Sequence, residues 1–587
     1  MFALLVLFMI YPFSNNKLLK NKFTLGKLFF CLISAWAISY IAINHVELWT
    51  QTSGITTYQT IIGFIVLFLV LESTRRVTGW ALPIISICFL IYSYFGNLFP
   101  GLLQHKGYSL VEIIRYQAMG LEGIFGVALG VASTFVFLFI FYAAVLQVSG
   151  GGEIFIDLAK GLVGKVRGGP AKIAILASCM FGSISGSAVA NVAGTGAFTI
   201  PLMKRTGYSA RFAGAVEAVA SSGGQLMPPI MGSAAFLIAE VLQIPFWEVA
   251  IAAFVPAILY YAAVFFMVDL EAAKNGIRGL SSSEIPSKRE TLAKGWHLLL
   301  SPLVLVYLLL FLQWSPMKSA FFAILVTVLS TFINPKNRLT LKKIVECMRI
   351  GSIGAIETTA ACACVGIVVG VIMQTGMGFK LSSVLVSVAD GNLLLLLLLT
   401  MIVSLILGMG LPTVAAYLVL GVMVAPTLIS IGVNPLAAHL FIFYFGIISA
   451  ITPPVALASL VAAGISGDKP FGTSLVSLRL GLSAFILPFM FVYGPTLLLQ
   501  GEVIDIVVSI VTALIGIYAL SIGLQRYFIR NLNIVESFLF AGVSLLLIHP
   551  GFITDLIGIV ILMILFSIVK LTKKKSAENK VIEKIEA

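Results

Sequence analysis

The chain has 587 residues, of which 59% are apolar and 10% charged, and its mean hydropathy is +1.07. Soluble domains carry about 25% charged residues, so this composition excludes a water-facing globular protein and makes the bilayer the main solvent. The net charge of +13 would suit nucleic acid, but Lys and Arg fall in short breaks between apolar runs. That is the positive-inside pattern of cytoplasmic loops, and no nucleic-acid partner is expected.

The uncharged runs 124–148 and 393–409 exceed or approach the roughly 20 residues that a helix needs to cross the hydrocarbon layer. Backbone that meets lipid must be helical. The expected fold is therefore an all-α polytopic membrane protein. Residues 1–115 read as a four-segment region with apolar stretches at 1–13, 25–45, 56–72 and 80–98. The first lacks the basic start and small-residue cleavage site of a signal peptide. At that length it reads as the remainder of a longer first helix. Lys17, Lys20, Lys22 and Lys27 fill the first break and Arg75 and Arg76 the third, which puts both on the cytoplasmic side.

Residues 116–268 form a first repeat. Its opening span runs inward to a basic stretch with Lys160, Lys165, Arg167 and Lys172, in which 154–163 reads as a short interfacial helix. Residues 269–348 hold two basic polar segments around a helical pair at 297–314 and 318–334. A second repeat occupies 349–500. Residues 501–587 add three apolar segments, near 503–525, 535–548 and 553–570, and a basic tail with Lys573, Lys574, Lys575, Lys580 and Lys584 that reads as a cytoplasmic end.

Shifting the chain by 225 residues against itself pairs Pro201 with Pro426, Gly207 with Gly432, and Pro228-Pro229 with Pro453-Pro454. It also pairs Pro245-Phe246 with Pro470-Phe471. Pro and Gly break helices for backbone reasons, so the breaks themselves are duplicated. The loop charges give the two repeats opposite orientations, since 349–373 leaves a basic segment and ends at 374–391, where Lys380 is the one basic residue. Inverted repeats with interrupted helices, with a site near the midplane, are the architecture of secondary transporters.

Each repeat breaks its apolar pattern twice with small polar residues, as expected of re-entrant hairpin tips or mid-helix breaks. The first repeat does so at Ser183, Ser185, Gly186, Ser187 and Asn191, then at Gly223, Gly224 and Pro228. The second does so at Gly408, Gly410, Pro412 and Thr413, then at Thr452 and Pro453. Freed carbonyls and hydroxyls can hold a hard cation such as Na⁺, and half-helix N-termini favour a carboxylate. Small residues also serve close helix packing in membranes, and the pairing of all four breaks favours the substrate and ion site. Two carboxylates inside apolar segments, Glu217 and Glu357, are candidates for a coupling proton or for hydrogen-bond support of the site. The alternative for each is a helix-end carboxylate that reaches the interface or pairs with a base such as Arg211.

The five histidines and six cysteines show no metal-ligand spacing, and no Gly-Lys-Ser or Gly-Lys-Thr phosphate loop occurs. Neither an ATP motor nor an organic cofactor is expected, and Na⁺ or H⁺ is left as the coupling ion. The sparse intramembrane charge argues against a channel, and no His, Asp or Glu cluster supports a membrane enzyme, so no catalytic residue is assigned.

The runs GSISGSAVANVAGTGAFTIPLMKRTGY, GAVEAVASSGGQLMPPIMGSAAF, GMGLPTVAAY and ITPPVALA closely resemble the large membrane subunit of TRAP (tripartite ATP-independent periplasmic) transporters. LESTRRVTGWALP, EGIFGVALGVASTFVFLFI and GGPAKIAILAS look like the TAXI-type branch, in which small and large subunits are fused. The resemblance covers about residues 56–500. It implies a periplasmic substrate-binding protein that delivers a carboxylate-bearing solute, import driven by a Na⁺ or H⁺ gradient, and an elevator-like motion against a scaffold to which 1–115 would contribute as the small-subunit-like part. By motif it places Ser185, Gly186, Ser187, Asn191, Gly223, Gly224 and Pro228 in the first hairpin and its following break. Gly410, Pro412, Thr413, Thr452 and Pro453 fall in the second. The short N-terminus and the segments after residue 500 depart from the family pattern. A stand-alone ion-coupled carrier is the alternative.

Overall fold

The computed structural model describes residues 2–11, 25–50, 54–335, 337–549 and 551–586. Lys17, Lys20 and Lys22 lie outside the described residues, as do the side chains of the C-terminal tail. Among the described residues, nine helices are long and apolar enough to cross a membrane. The fold is all-α and polytopic.

Four helices open the chain: α1 (Phe2–Ile10), α2 (Leu25–Thr50), α3 (Thr57–Thr78) and α4 (Ala81–Tyr94). The first repeat holds α5 (Leu110–Ile114), α6 (Val127–Val131), α7 (Phe137–Val148), α8 (Gly151–Val163), α9 (Gly169–Ser185), α10 (Ala188–Arg205), α11 (Ala210–Gly223), α12 (Ala234–Leu242) and α13 (Phe246–Asn275). The connecting pair is α14 (Lys288–Val306) and α15 (Pro316–Ser330). The second repeat holds α16 (Leu341–Thr375), α17 (Met377–Ala389), α18 (Leu393–Gly408), α19 (Thr413–Met423), α20 (Ala425–Ser430), α21 (Pro435–Ile448), α22 (Leu457–Ser466), α23 (Pro470–Leu480) and α24 (Ser483–Tyr493). The end of the chain adds α25 (Val503–Gln525), α26 (Ile534–Ile548) and α27 (Phe552–Glu586).

The helix bounds repeat at the offset read from the sequence. Residue 188 opens α10 and residue 413 opens α19; residue 210 opens α11 and residue 435 opens α21. Each of α11 and α21 runs into a single 3₁₀ turn, Gly224–Leu226 and Ser449–Ile451, and then into a Pro–Pro break. Both Pro–Pro peptide bonds are cis. Gly207 and Gly432, paired by the same offset, both take positive φ, +108° and +92°, a conformation that glycine adopts without steric cost.

Two stretches read as polar connections are helical. Residues 377–389, where the first span of the second repeat was expected to end, form α17, the counterpart of α8. Its serines and single lysine dilute the apolar signal, but its apolar residues recur at helical spacing. Residues 341–348, within the second basic segment, form the first turns of α16 behind the N-cap Thr340, whose hydroxyl accepts the Lys343 N–H.

The chain divides into two compact units. One comprises 1–149, 236–242 and 300–446, the other 150–235, 243–299 and 447–587. In the first, α16 is the central pillar, packed against α1, α3, α4, α6, α7 and α19. Its glycines allow close approach: a Cβ on Gly366 would stand 2.5 Å from the Gly123 carbonyl oxygen, and one on Gly351 2.6 Å from the Phe141 ring. The N-terminal helices hold to this pillar by polar as well as apolar contacts. Thr74 donates to the Ala360 carbonyl and Ser86 to that of Cys364. Arg76 lies over the rings of Phe8 and Phe30 and donates to the Tyr11 carbonyl.

In the second unit, α9 and α10 form a hairpin that packs with α11, and α22 and α23 pack on α11. Further along, α25 packs on α13, and α25, α26 and α27 share an apolar core with Phe540, Leu547, Leu565 and Val569.

Candidate functional site

The first hairpin turns over two residues. Gly186 caps α9 with φ +63° and donates its N–H to the Gly182 carbonyl at 3.2 Å. Ser187 then caps α10, its hydroxyl accepting the Ala190 N–H. The turn docks on the break that follows α11 through two glycine pairs. A Cβ on Gly224 would stand 2.6 Å from the Cα of Gly182, and one on Gly232 would stand 2.7 Å from the Cα of Gly186. The Gly232 N–H donates to the Ser183 carbonyl at 3.1 Å. Only glycine allows backbone to meet backbone this closely. The hydroxyl oxygen of Ser185 is buried at the tip, without a hydrogen-bond partner among the described residues.

Behind the tip lies a polar core. Glu217 of α11 is 0% exposed. Its Oε1 accepts from the hydroxyls of Ser178 at 2.7 Å, Thr195 at 2.5 Å and Ser221 at 3.1 Å. Its Oε2 meets the Thr199 hydroxyl at 2.5 Å. Asn191 belongs to the same core, donating through Nδ2 to the carbonyls of Ser178 at 2.8 Å and Ser221 at 3.4 Å, while its Oδ1 stands 3.2 Å from the Thr195 hydroxyl oxygen, whose hydrogen goes to Glu217. Three helices are thus tied together by side chains with almost no exposed surface. At the C-terminal end of α11, where carbonyls lose their helical partners, the hydroxyls of Tyr260 and Tyr261 on α13 donate to Val219 and Ala220 at 2.7 and 2.8 Å. Gly223 lies flat against the Tyr260 ring.

Of the residues singled out from sequence, Ser183, Ser185, Gly186, Ser187, Asn191, Gly223, Gly224 and Pro228 come together in this unit, with Glu217 behind them. Thr452 and Pro453 belong to the same unit, where 449–451 packs on α11 and the Thr452 hydroxyl bonds back to the Ile448 carbonyl. Gly408, Gly410, Pro412 and Thr413 lie in the other unit, at the turn between α18 and α19. There Gly410 has φ +77° and the Pro412 carbonyl accepts the Ala416 N–H. Glu357 also lies in that unit, where it accepts the Tyr11 hydroxyl at 2.5 Å and so joins α16 to the end of α1. Arg211 does not pair with Glu217. It engages Asp468 at 2.8 Å, and that ion pair holds the Asp468 carboxyl below its usual range.

The profile described as the DctM component of the tripartite ATP-independent periplasmic transporters matches residues 65–506. That span takes in both hairpins and both Pro–Pro breaks. The chain belongs to the DctM family. It is 25% identical over 397 residues to the sialic acid TRAP transporter large permease protein SiaM of Vibrio cholerae, covering 65% of this chain and 90% of that protein. It is 26% identical over 350 residues to the C4-dicarboxylate TRAP transporter large permease protein DctM of Pseudomonas aeruginosa, covering 57% of this chain and 78% of that one. It is also 26% identical over 363 residues to the sialic acid TRAP transporter permease protein SiaT of Haemophilus influenzae, covering 60% of this chain and 56% of that protein. These relatives are permeases by name, in keeping with transport rather than catalysis. The chain is a multi-pass inner-membrane protein.

Sequence reasoning missed Ser178, Thr195 and Thr199, which complete the polar core of this DctM-family hairpin. A signal was present. Asn191, Thr195 and Thr199 recur at intervals of four residues, as do Glu217 and Ser221, which places each set on one helix face. Gly232 was also missed; it lies three residues beyond the Pro–Pro pair.

Proposed function

We propose that the chain is the permease of a tripartite transporter that imports a carboxylate-bearing solute, handed over by a periplasmic substrate-binding protein and driven by a Na⁺ or H⁺ gradient. The family match over 65–506 carries this reading, because it spans the two hairpins that form the transport machinery. The solute class is supported by relatives named for sialic acid and C4-dicarboxylates, both acids, and by the capped α10 N-terminus at the first tip, where backbone N–H groups favour negative charge. The narrower TAXI-type assignment, with a fused small-subunit-like part at 1–115, is supported by α1 and α2, which precede the family match, and by the packing of α1 on α16. The motion proposed is elevator-like: the hairpin-bearing elements move against a scaffold that includes α1–α4.

Uptake by the full chain in proteoliposomes, measured with and without the cognate binding protein under imposed Na⁺ or H⁺ gradients, tests the reading. Uptake that requires both the binding protein and an ion gradient is the expected result. Full-rate uptake without a binding protein would instead establish a stand-alone carrier.

A further inference from the structure

We infer that His105 is a proton-operated latch: while neutral it holds the loop 96–108 closed over the outer ends of α16 and α17, and on taking up a proton it lets that loop open. The inference goes beyond the permease reading and needs neither a solute nor a binding protein. The loop joins α4 to α5. Arg75 and Arg76, just before α4, mark the cytoplasmic side, so the loop lies on the other side, where α16 also ends.

Backbone bonds close the loop on itself. The N–H groups of His105 and Tyr108 donate to the carbonyls of Gly96 and Ser93, both at 3.0 Å. Side chains then fix it to its neighbours. The Tyr92 hydroxyl of α4 donates to the Leu103 carbonyl at 2.8 Å, the Tyr108 hydroxyl to the Gln374 carbonyl of α16 at 2.6 Å, and the Lys380 ammonium of α17 to the Gln104 carbonyl at 2.7 Å.

The imidazole uses both nitrogens, and its partners leave it one protonation state. Nδ1 accepts the Gly107 N–H at 3.1 Å, and Nε2 lies 3.0 Å from the Tyr92 carbonyl oxygen. A backbone N–H only donates and a carbonyl only accepts, so the ring is neutral with its hydrogen on Nε2. In the imidazolium both nitrogens are donors. A hydrogen on Nδ1 would then point at the Gly107 N–H, and that bond is lost.

Packing keeps the ring from turning away inside the closed loop. It lies against Gly96, where a Cβ would stand 2.0 Å from Cε1, and beside the rings of Tyr92 and Tyr108, with centroids at 4.8 and 5.6 Å. Gly107 aims the opposing N–H with φ +75°, a conformation that glycine adopts without steric cost. A charged ring is therefore accommodated only when 105 and 107 separate, and that separation opens the loop.

The surrounding charges act in the same direction. Lys380 of α17 faces the ring, and on the loop itself Lys106 lies over Tyr108 at 5.1 Å. The groups from α4 and α16 are Tyr92, Gln374 and Thr375, and Glu112 of α5 is engaged at the Ser109 cap. Among the described residues no ion pair reaches His105. Burial, with the Lys380 charge, holds the imidazole below its usual value despite the Tyr92 hydrogen bond. The closed loop thus binds fewer protons than the open one. Closure is fully favoured above about pH 6.5 and weakens as pH falls below it, by at most about tenfold per pH unit for one proton.

Hydrogen–deuterium exchange of the full chain in lipid nanodiscs tests the latch, with each rate divided by the intrinsic rate at the same pH. Protection of the amides in 104–108 should be level above about pH 6.5 and fall below it, by up to about tenfold per pH unit, while 356–368 within α16 stays unchanged. His105→Gln carries an amide donor and acceptor but does not titrate, so its profile should be flat. Lys380→Met removes the like charge and the Gln104 bond; it should lower protection at every pH and shrink the acid-dependent part. A wild-type profile that stays level down to about pH 5 would overturn the inference, as would an equal acid-dependent fall in His105→Gln. Should His105→Gln not fold, Lys380→Met decides, and an acid-dependent part as large as the wild type's overturns the latch. None of these outcomes involves uptake, so failure here leaves the permease reading to its own assay.

Discussion

The two hairpin repeats share helix bounds and breaks, yet their interiors differ in kind. Shifted by 225, the polar set Asn191, Thr195, Thr199, Glu217 and Ser221 falls on Ala416, Leu420, Val424, Ile442 and Gly446. The second set is as deeply buried as the first, and it meets in the same way. A Cβ on Gly446 would touch Leu420 and Ala416 at 3.6 and 3.9 Å, and the polar link between α19 and α21 is instead Tyr417 to His439 at 2.8 Å. One repeat ties three helices with hydrogen bonds around a carboxyl group, whereas at the matched positions of the other α19 meets α21 through aliphatic side chains. Backbone breaks can therefore be duplicated while the chemistry inside them is not, because Gly and Pro dictate where a helix stops and side chains decide what its interior can bind.

Substitutions at matched positions would break or sharpen that contrast. The largest effect is expected at the glycine contacts. Gly224→Val drives a side chain into the backbone of Gly182 and should cost about 3 kcal/mol or more, whereas Gly446→Ala meets only ordinary contacts and should change stability by less than about 1 kcal/mol, in the stabilising direction. Thermal unfolding in nanodiscs measures both; equal losses would show that the two interiors are packed alike.

Next comes Glu217→Leu. Thr195 and Thr199 can turn to helix carbonyls and Ser178 to Thr195, but Ser221 is left without an acceptor. A loss of about 1–3 kcal/mol is expected, together with loss of gradient-driven uptake. Ile442→Leu at the matched position conserves volume and should cost less than about 1.5 kcal/mol with uptake retained. Uptake surviving Glu217→Leu would remove the functional side of the contrast.

Smaller, similar losses are expected for Tyr261→Phe and Tyr417→Phe, about 0.6–1 kcal/mol each, since each deletes one buried hydrogen bond. If Tyr417→Phe proved silent, the His439 link would not hold the second hairpin together.

The smallest effect belongs to the Arg211–Asp468 pair, whose arginine is half exposed, so that solvent screens it and it contributes little. The carboxyl is held below its ordinary value, so its stabilisation is complete above about pH 4 and is lost as pH falls through the lowered value. Asp468→Asn should abolish that acid-dependent loss of melting temperature and leave the neutral-pH value almost unchanged.

Much of the fold was legible because its signals are local. Apolar run length fixes which segments can cross the membrane, and the repeated Pro and Gly fix where helices break. The segments near 503–525 and 535–548 match α25 and α26 to within a residue. The tip residues Gly186, Ser187 and Gly410 were also visible as breaks. The core behind them was less so, because a hydroxyl on an apolar helix looks alike whether it bonds back to its own turn, as Thr452 does, or reaches a carboxyl group on another helix, as Thr195 does. Glu217 and Glu357 illustrate the same limit. Both are carboxylates in apolar segments, but one gathers four hydroxyls in the first hairpin and the other accepts a single tyrosine from the N-terminal helix.

By itself, then, the sequence determined that this is a membrane protein of two hairpin-bearing repeats in the DctM family, since hydropathy, helix breakers and motifs act through neighbours along the chain. Only the tertiary structure decided which repeat carries the buried acid core, that Asn191 braces three helices, and that paired glycines bring the tip onto the break after α11. Those outcomes depend on distances between side chains far apart in the chain, and these exist only once the helices have packed.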